Sequence, residues 1–196
     1  MAQPTTTFLD ELIAAARGCV ALLLGNRQAP TYFDFSQRGL VGSFIALVIG
    51  FGIQVFGPQL INSPAPAGVS ITALMLGVIV VGIQFGIVWL VLRQLGRADG
   101  FVPFMVVQNW ASLMQTTIAV SLIAIFGDPV AIEAGSEIVQ LTSGSIPFIA
   151  MGIAALVIMI NIARLILTLR PLHVALFVIA QLTTALLVQP MLGLLA

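Results

Sequence analysis

Five apolar stretches, each about twenty residues or longer, carry a single formal charge among them, and no other feature of the sequence constrains its fold as strongly. They run at about 40–60, 71–92, 101–126, 146–169 and 172–195, and the one charge is Arg164. A helix crossing the hydrocarbon core needs about 20 mostly apolar residues, so each stretch is read as a transmembrane helix. Pro and Gly mark the joints at Pro58, Pro64 to Pro66, Gly96 to Gly100, Gly127 to Pro129, and Arg170-Pro171. Composition agrees. Of 196 residues, 60% are hydrophobic and 7% charged, whereas a soluble domain carries about 25% charged residues. Such a chain cannot cover a globule with polar surface. Its zero formal net charge also gives no electrostatic grip on nucleic acid.

The N-terminal segment, residues 1–39, differs. Phe8, Leu9, Leu12, Ile13 and Ala16 recur at helical spacing, but Asp10, Glu11 and Arg17 interrupt the apolar run. This predicts an amphipathic helix over about 7–25 that lies at the membrane interface or packs on the bundle. A secretory signal needs a basic region ahead of its apolar stretch. Here Asp10 and Glu11 precede it, so the segment is expected to be retained. Cys19 is the single cysteine, which excludes an intrachain disulfide. It is read as a buried or lipid-facing small residue.

The basic residues are all Arg and fall on one side of the expected spans. Arg17, Arg27 and Arg38 precede span one, Arg93 and Arg97 lie between spans two and three, and Arg164 and Arg170 flank the turn between spans four and five. The remaining loops hold only the acids Asp128, Glu133 and Glu137. Positive residues stay cytoplasmic, which predicts five spans with the N-terminus inside and the C-terminus outside. An Arg-only basic set fits a GC-rich bacterial genome. The expected location is therefore a bacterial inner membrane, with membrane lipids as constant partners.

Polar residues inside the spans are the candidates for a site. Span three carries Gln108, Asn109, Ser112, Gln115 and Thr116, and Gln108, Ser112 and Gln115 share one helical face. Gln84 and Gln181 lie near the middle of spans two and five. In hydrocarbon such groups must find partners. Two readings stand: interhelical hydrogen bonding that holds the bundle together, or a polar pathway for a solute. Asn161 and Arg164 face the same way in span four. Arg164 snorkels to the headgroups or, with Asn161, Arg170 and the only histidine, His173, forms an inner-side lipid-headgroup site. One histidine makes no His-rich metal or two-His haem site, and no cofactor is expected.

Gly42, Ala46 and Gly50 recur every four residues in span one, and Gly82 and Gly86 form a GxxxG in span two. Small residues at this spacing allow close helix packing, within one chain or between copies. Glu133 and Glu137 fall i, i+4 in an outer loop and are read as a solvated charge cluster. The motifs HExxH, GxSxG, GxGxxG and the phosphate loop are missing, and no acid lies within a span. A non-enzymatic protein is expected.

The stretches Arg93-Gln94-Leu95-Gly96-Arg97-Ala98-Asp99-Gly100-Phe101 and Val106-Val107-Gln108-Asn109-Trp110-Ala111 sit in a five-span order behind an N-terminal segment. That segment contains Leu22-Leu23-Leu24-Gly25 and Tyr32-Phe33-Asp34-Phe35-Ser36, ahead of Gly42-Ser43-Phe44. In this organisation the chain resembles the Yip family of Ypt-interacting-protein-like membrane proteins, in its uncharacterised bacterial branch. It lacks the Asp-Tyr-Gly-Pro type motif of the eukaryotic members, so their small-GTPase link does not carry over. The resemblance implies a five-helix bundle without established enzymatic activity, and it transfers no functional residue.

The expected fold is thus an all-α integral membrane protein, with five transmembrane helices over 40–196 behind an N-terminal amphipathic helix. The expected role is a scaffold or accessory subunit of a membrane complex or homo-oligomer. The alternative is a channel or carrier for a small neutral or lipidic solute along the polar face of span three.

Overall fold

The structure, a computed structural model of the chain, describes residues 7–60, 71–132, 139–142 and 144–195. It is helical almost throughout. Among the described residues six α-helices follow in order: α1 (Phe8–Leu23), α2 (Gln37–Leu60), α3 (Ile71–Gln94), α4 (Phe101–Phe126), α5 (Ser145–Asn161) and α6 (Pro171–Leu195). The expected boundaries shift modestly. The first span begins three residues earlier, at Gln37. The fourth is α-helical only to Asn161 and continues as one π turn over Ile162–Ile166. Among the described residues, four segments are long and apolar enough to cross a membrane: Gln37–Gly57, Gly77–Gln94, Ala98–Phe126 and Ser145–Ile166. A shorter apolar helix, Pro171–Leu187, follows.

One element departs from an all-helical reading. Between α4 and α5, β1 (Val130–Ile132) pairs antiparallel with β2 (Val139–Leu141), Val130 opposite Leu141. The sequence reads there as a plain acidic loop. Its apolar residues alternate over runs of only three, too short for periodicity to register. Glu133 and Glu137 lie outside the described residues.

Helix α1 starts where Thr7 caps it. The Thr7 Oγ1 accepts from the Asp10 amide at 3.3 Å, and the Thr7 amide donates to Asp10 Oδ2 at 2.9 Å, a reciprocal capping box. It ends where Gly25 takes φ +66°. The Asn26 amide then reaches back to the Ala21 carbonyl at 2.8 Å and the Gly25 amide to that of Leu22 at 3.0 Å, the two bonds of a Schellman motif. Gly96 repeats the device after α3.

Helix α1 buries Ala15, Gly18, Cys19, Ala21 and Leu22 on the bundle. The opposite stripe, Leu9, Ile13, Val20 and Leu24, is exposed. The helix therefore has two apolar faces, one for protein and one suited to hydrocarbon.

The core gathers around the first half of α4, where Phe104, Val106, Val107, Trp110 and Leu113 are buried. Leu22 of α1, Val88 and Leu92 of α3, and Phe177 of α6 join them. Phe104 meets Phe177 edge-on at 5.5 Å, and Phe8 meets Trp110 at 5.6 Å. Helix α2 lies along α4, with Gly50 facing the Leu113 backbone. Most of this core belongs to the Arg-bearing end of the bundle. Toward the other end, large apolar side chains such as Phe56, Met75, Ile125, Ile149 and Leu186 stand exposed.

Candidate functional site

The polar residues of span three have separate fates. Asn109 is fully buried and donates through Nδ2 to Ser43 Oγ of α2 at 3.1 Å. Ser43 in turn donates to the Leu40 carbonyl at 2.7 Å. One acceptor of the pair is left over, because Asn109 Oδ1 has no partner among the described residues. The pair is an interhelical clamp.

Ser112, Gln115 and Thr116 turn instead toward a cleft of about 180 Å³. Gln54, Leu47, Gly50 and Phe51 of α2 and Val81 of α3 complete its walls. Gln108 stands one turn away, its Nε2 donating to Ser112 Oγ at 3.4 Å. Gly50 lies where α2 comes close to α4, since a Cβ there would stand 3.5 Å from the Leu113 backbone, an ordinary van der Waals contact. Two amides and two hydroxyls therefore face one another midway along α2 and α4. They can donate to and accept from a neutral ligand, but none ionises. Gln84 and Gln181 lie outside this cleft. Both are half-buried, and Gln181 Nε2 is buried without a partner among the described residues.

Asn161 joins elements far apart in sequence. Its Nδ2 donates to the Leu22 carbonyl at 2.7 Å, and its Oδ1 accepts from Arg164 Nη1 at 3.4 Å. Arg164 and Arg27 line a groove of about 400 Å³ with Leu165, Leu169, Pro171 and Val174. The expected companions of Arg164 were Arg170 and His173, and neither lines this groove. Arg27 lines it instead, because the Schellman turn after α1 delivers it there. Sequence distance hid this, since no periodicity links a loop at 27 to a helix end at 164.

A third concavity, of about 300 Å³, lies between α1 and the Thr31–Asp34 turn, with Trp110 in its wall. Its three carboxylates are already engaged. Asp10 holds Thr7, Glu11 pairs with Arg38 at 3.5 Å, and Asp34 accepts from the Ser36 amide at 2.9 Å. Hydrogen bonds from Thr7, the backbone amide foremost, hold the Asp10 carboxyl below its ordinary value. Gly42 lets Glu11 come close, because a Cβ there would collide with the carboxylate. Ala46, one turn on, is fully buried. Gly82 and Gly86 differ, with open space where their side chains would be.

Among the described residues no group of three or more His, Cys, Asp or Glu is placed to hold a metal ion. No family model, curated protein or solved structure matches the chain.

Proposed function

We propose that this chain is a polytopic membrane protein that acts as a scaffold or accessory subunit, associating laterally through α3. The observation that carries this reading is the outward face of α3. Met75, Ile79, Gly82, Ile83, Gly86 and Leu90 follow one another at helical spacing, all exposed, with nothing among the described residues within 4 Å of a Cβ placed at either glycine. A GxxxG groove flanked by Ile ridges is a surface on which a second helix packs closely. The resemblance to the Yip family, with its five-helix bundles, is compatible with this role. The topology we propose has five spans, the Arg-bearing end in the cytoplasm and the C-terminus outside a bacterial inner membrane. The placement of α1 beside the inner ends of α4 and α5 supports it.

The test is the association state of the purified protein in mild detergent and in vesicles. Wild type is expected to run as an oligomer or with a co-purifying subunit, and Gly82→Leu/Gly86→Leu as a lone folded monomer. A wild type that is a lone monomer in both media would refute the reading.

A second reading is favoured by one observation, the cleft lined by Gln54, Ser112, Gln115 and Thr116. It makes the protein a channel or carrier for a small neutral or lipidic solute. Replacing Gln108 and Gln115 with Leu would then abolish flux into vesicles without unfolding the protein. Unchanged flux would reject it.

A further inference from the structure

We propose that the groove between Arg27 and Arg164 binds a phosphate group, carried by an anionic phospholipid whose headgroup docks at the Arg-bearing end of the bundle. Four independent features converge on this place.

The first is charge. Among the described residues, neither arginine is ion-paired, and no carboxylate lines the groove. Two uncompensated guanidinium groups beside one groove favour an anion. The planar fork of each suits the paired oxygens of a phosphate.

The second is positioning. Arg164 Nη1 is held from behind by Asn161 Oδ1, and Asn161 is itself anchored on the Leu22 carbonyl at 2.7 Å. Arg27 sits inside a turn closed by the Gln28 amide on Asn26 Oδ1 at 2.9 Å. Both backbones are thus fixed before any ligand arrives.

The third is the π turn. Its bond from the Leu167 amide to the Ile162 carbonyl, 3.0 Å, replaces the regular α pattern where Arg164 stands. Such turns often lie at functional sites because they redirect a side chain.

The fourth is the wall. Leu165, Leu169, Pro171 and Val174 form the rest of the groove. A purely aqueous anion has no use for these apolar side chains, whereas the glycerol and first acyl carbons of a lipid do. The groove lies at the junction of α5 and α6, where apolar helix meets polar turn, and a phospholipid changes character at the same depth.

The inference is independent of the scaffold reading, because no residue of α3 lines the groove and the inference makes no demand on oligomeric state. Its test uses the full-length protein in neutral detergent, titrated with phosphatidylglycerol, phosphatidylcholine or millimolar inorganic phosphate. The readout is thermal stability, with bound lipid counted by native mass spectrometry. Phosphatidylglycerol is expected to stabilise and to be retained, and phosphatidylcholine to do so weakly. Arg27→Gln and Arg164→Gln should each weaken phosphatidylglycerol about tenfold, the loss of one charge-assisted contact. Arg170→Gln, outside the groove, should leave it unchanged. Arg27 lies in a loop, so its variant folds even if the Arg164 variant does not. Inorganic phosphate reproducing the Arg27-dependent shift would keep the phosphate site and make its source aqueous. Phosphatidylglycerol binding that ignores both substitutions would overturn the proposal.

Discussion

Asn161 of α5 donates its side-chain amide to the carbonyl oxygen of Leu22, at 2.7 Å and across 139 residues of sequence. That carbonyl belongs to the last turn of α1, where helix geometry leaves acceptors without partners. The bond fastens α1 to the bundle at its C-terminal end, as the Phe8 contact with Trp110 does at its N-terminal end.

Asn161→Leu should therefore loosen α1. Loss of a buried hydrogen bond that leaves one partner stranded costs about 1–3 kcal/mol. Trypsin cleavage after Arg17 and Arg27 in detergent should accelerate. Arg164→Gln keeps the bond to Leu22 and should change cleavage much less.

The clamp between Ser43 and Asn109 gives a second expectation. Hydrogen bonds between membrane helices average about 0.6 kcal/mol. Ser43→Ala should cost more, about 1–3 kcal/mol, because it leaves the fully buried Asn109 amide without the one partner it has among the described residues. Asn109→Leu made on top of Ser43→Ala should then cost little, since no orphaned group remains. A double-mutant cycle by denaturation in mixed micelles would show this as strong coupling. Additive effects would contradict the clamp.

Burial pushes the Cys19 thiol up to about 12. The thiolate is the reactive form, so at pH 8 a maleimide should leave native protein unlabelled and label it fully once unfolded. Asn161→Leu should bring labelling forward, because Cys19 is covered only while α1 stays docked.

At the other end of α1, the Asp10 carboxyl lies below its ordinary value of 3.8 because the ionised form accepts from Thr7. A depressed folded value means that the contribution is whole above the unfolded value and is lost as pH falls through the folded one. Amide exchange in the first turn of α1 should therefore match its full protection at pH 6. Below pH 3.8 it should approach that of Asp10→Asn, which shows weaker protection at both pH values.

Much of this architecture is legible in the sequence because hydrocarbon imposes one strict rule, that backbone polar groups be satisfied within each segment. Long uncharged runs then announce helices, and the bounds of α3 and α4 fall within two residues of expectation. Helix rotation is not written so plainly. Gln108, Ser112 and Gln115 share a face by arithmetic, yet the fully buried amide is Asn109, one residue off that face. Only the position of α2 decides this, through Ser43. The companion of Arg164 was hidden for a related reason. Arg27 reaches the groove through a glycine turn whose left-handed φ sets the direction of the following chain. The β1–β2 ribbon escaped notice because three-residue strands carry no readable period.

The long span between Leu22 and Asn161 also has a consequence in time. A ribosome adds about 5–20 residues per second, so the carbonyl of Leu22 is made roughly seven to twenty-eight seconds before its partner amide. Helix α1 is among the first elements synthesised, and its C-terminal end cannot be fastened until the fifth helix has left the ribosome. Throughout that interval its last turn lacks this anchor. The exposed stripe of Leu9, Ile13, Val20 and Leu24 gives it a way to wait at the bilayer surface. Every nascent chain that ends before Asn161 therefore lacks the fastening of the last turn of α1, and that bond marks the moment when the bundle is nearly complete.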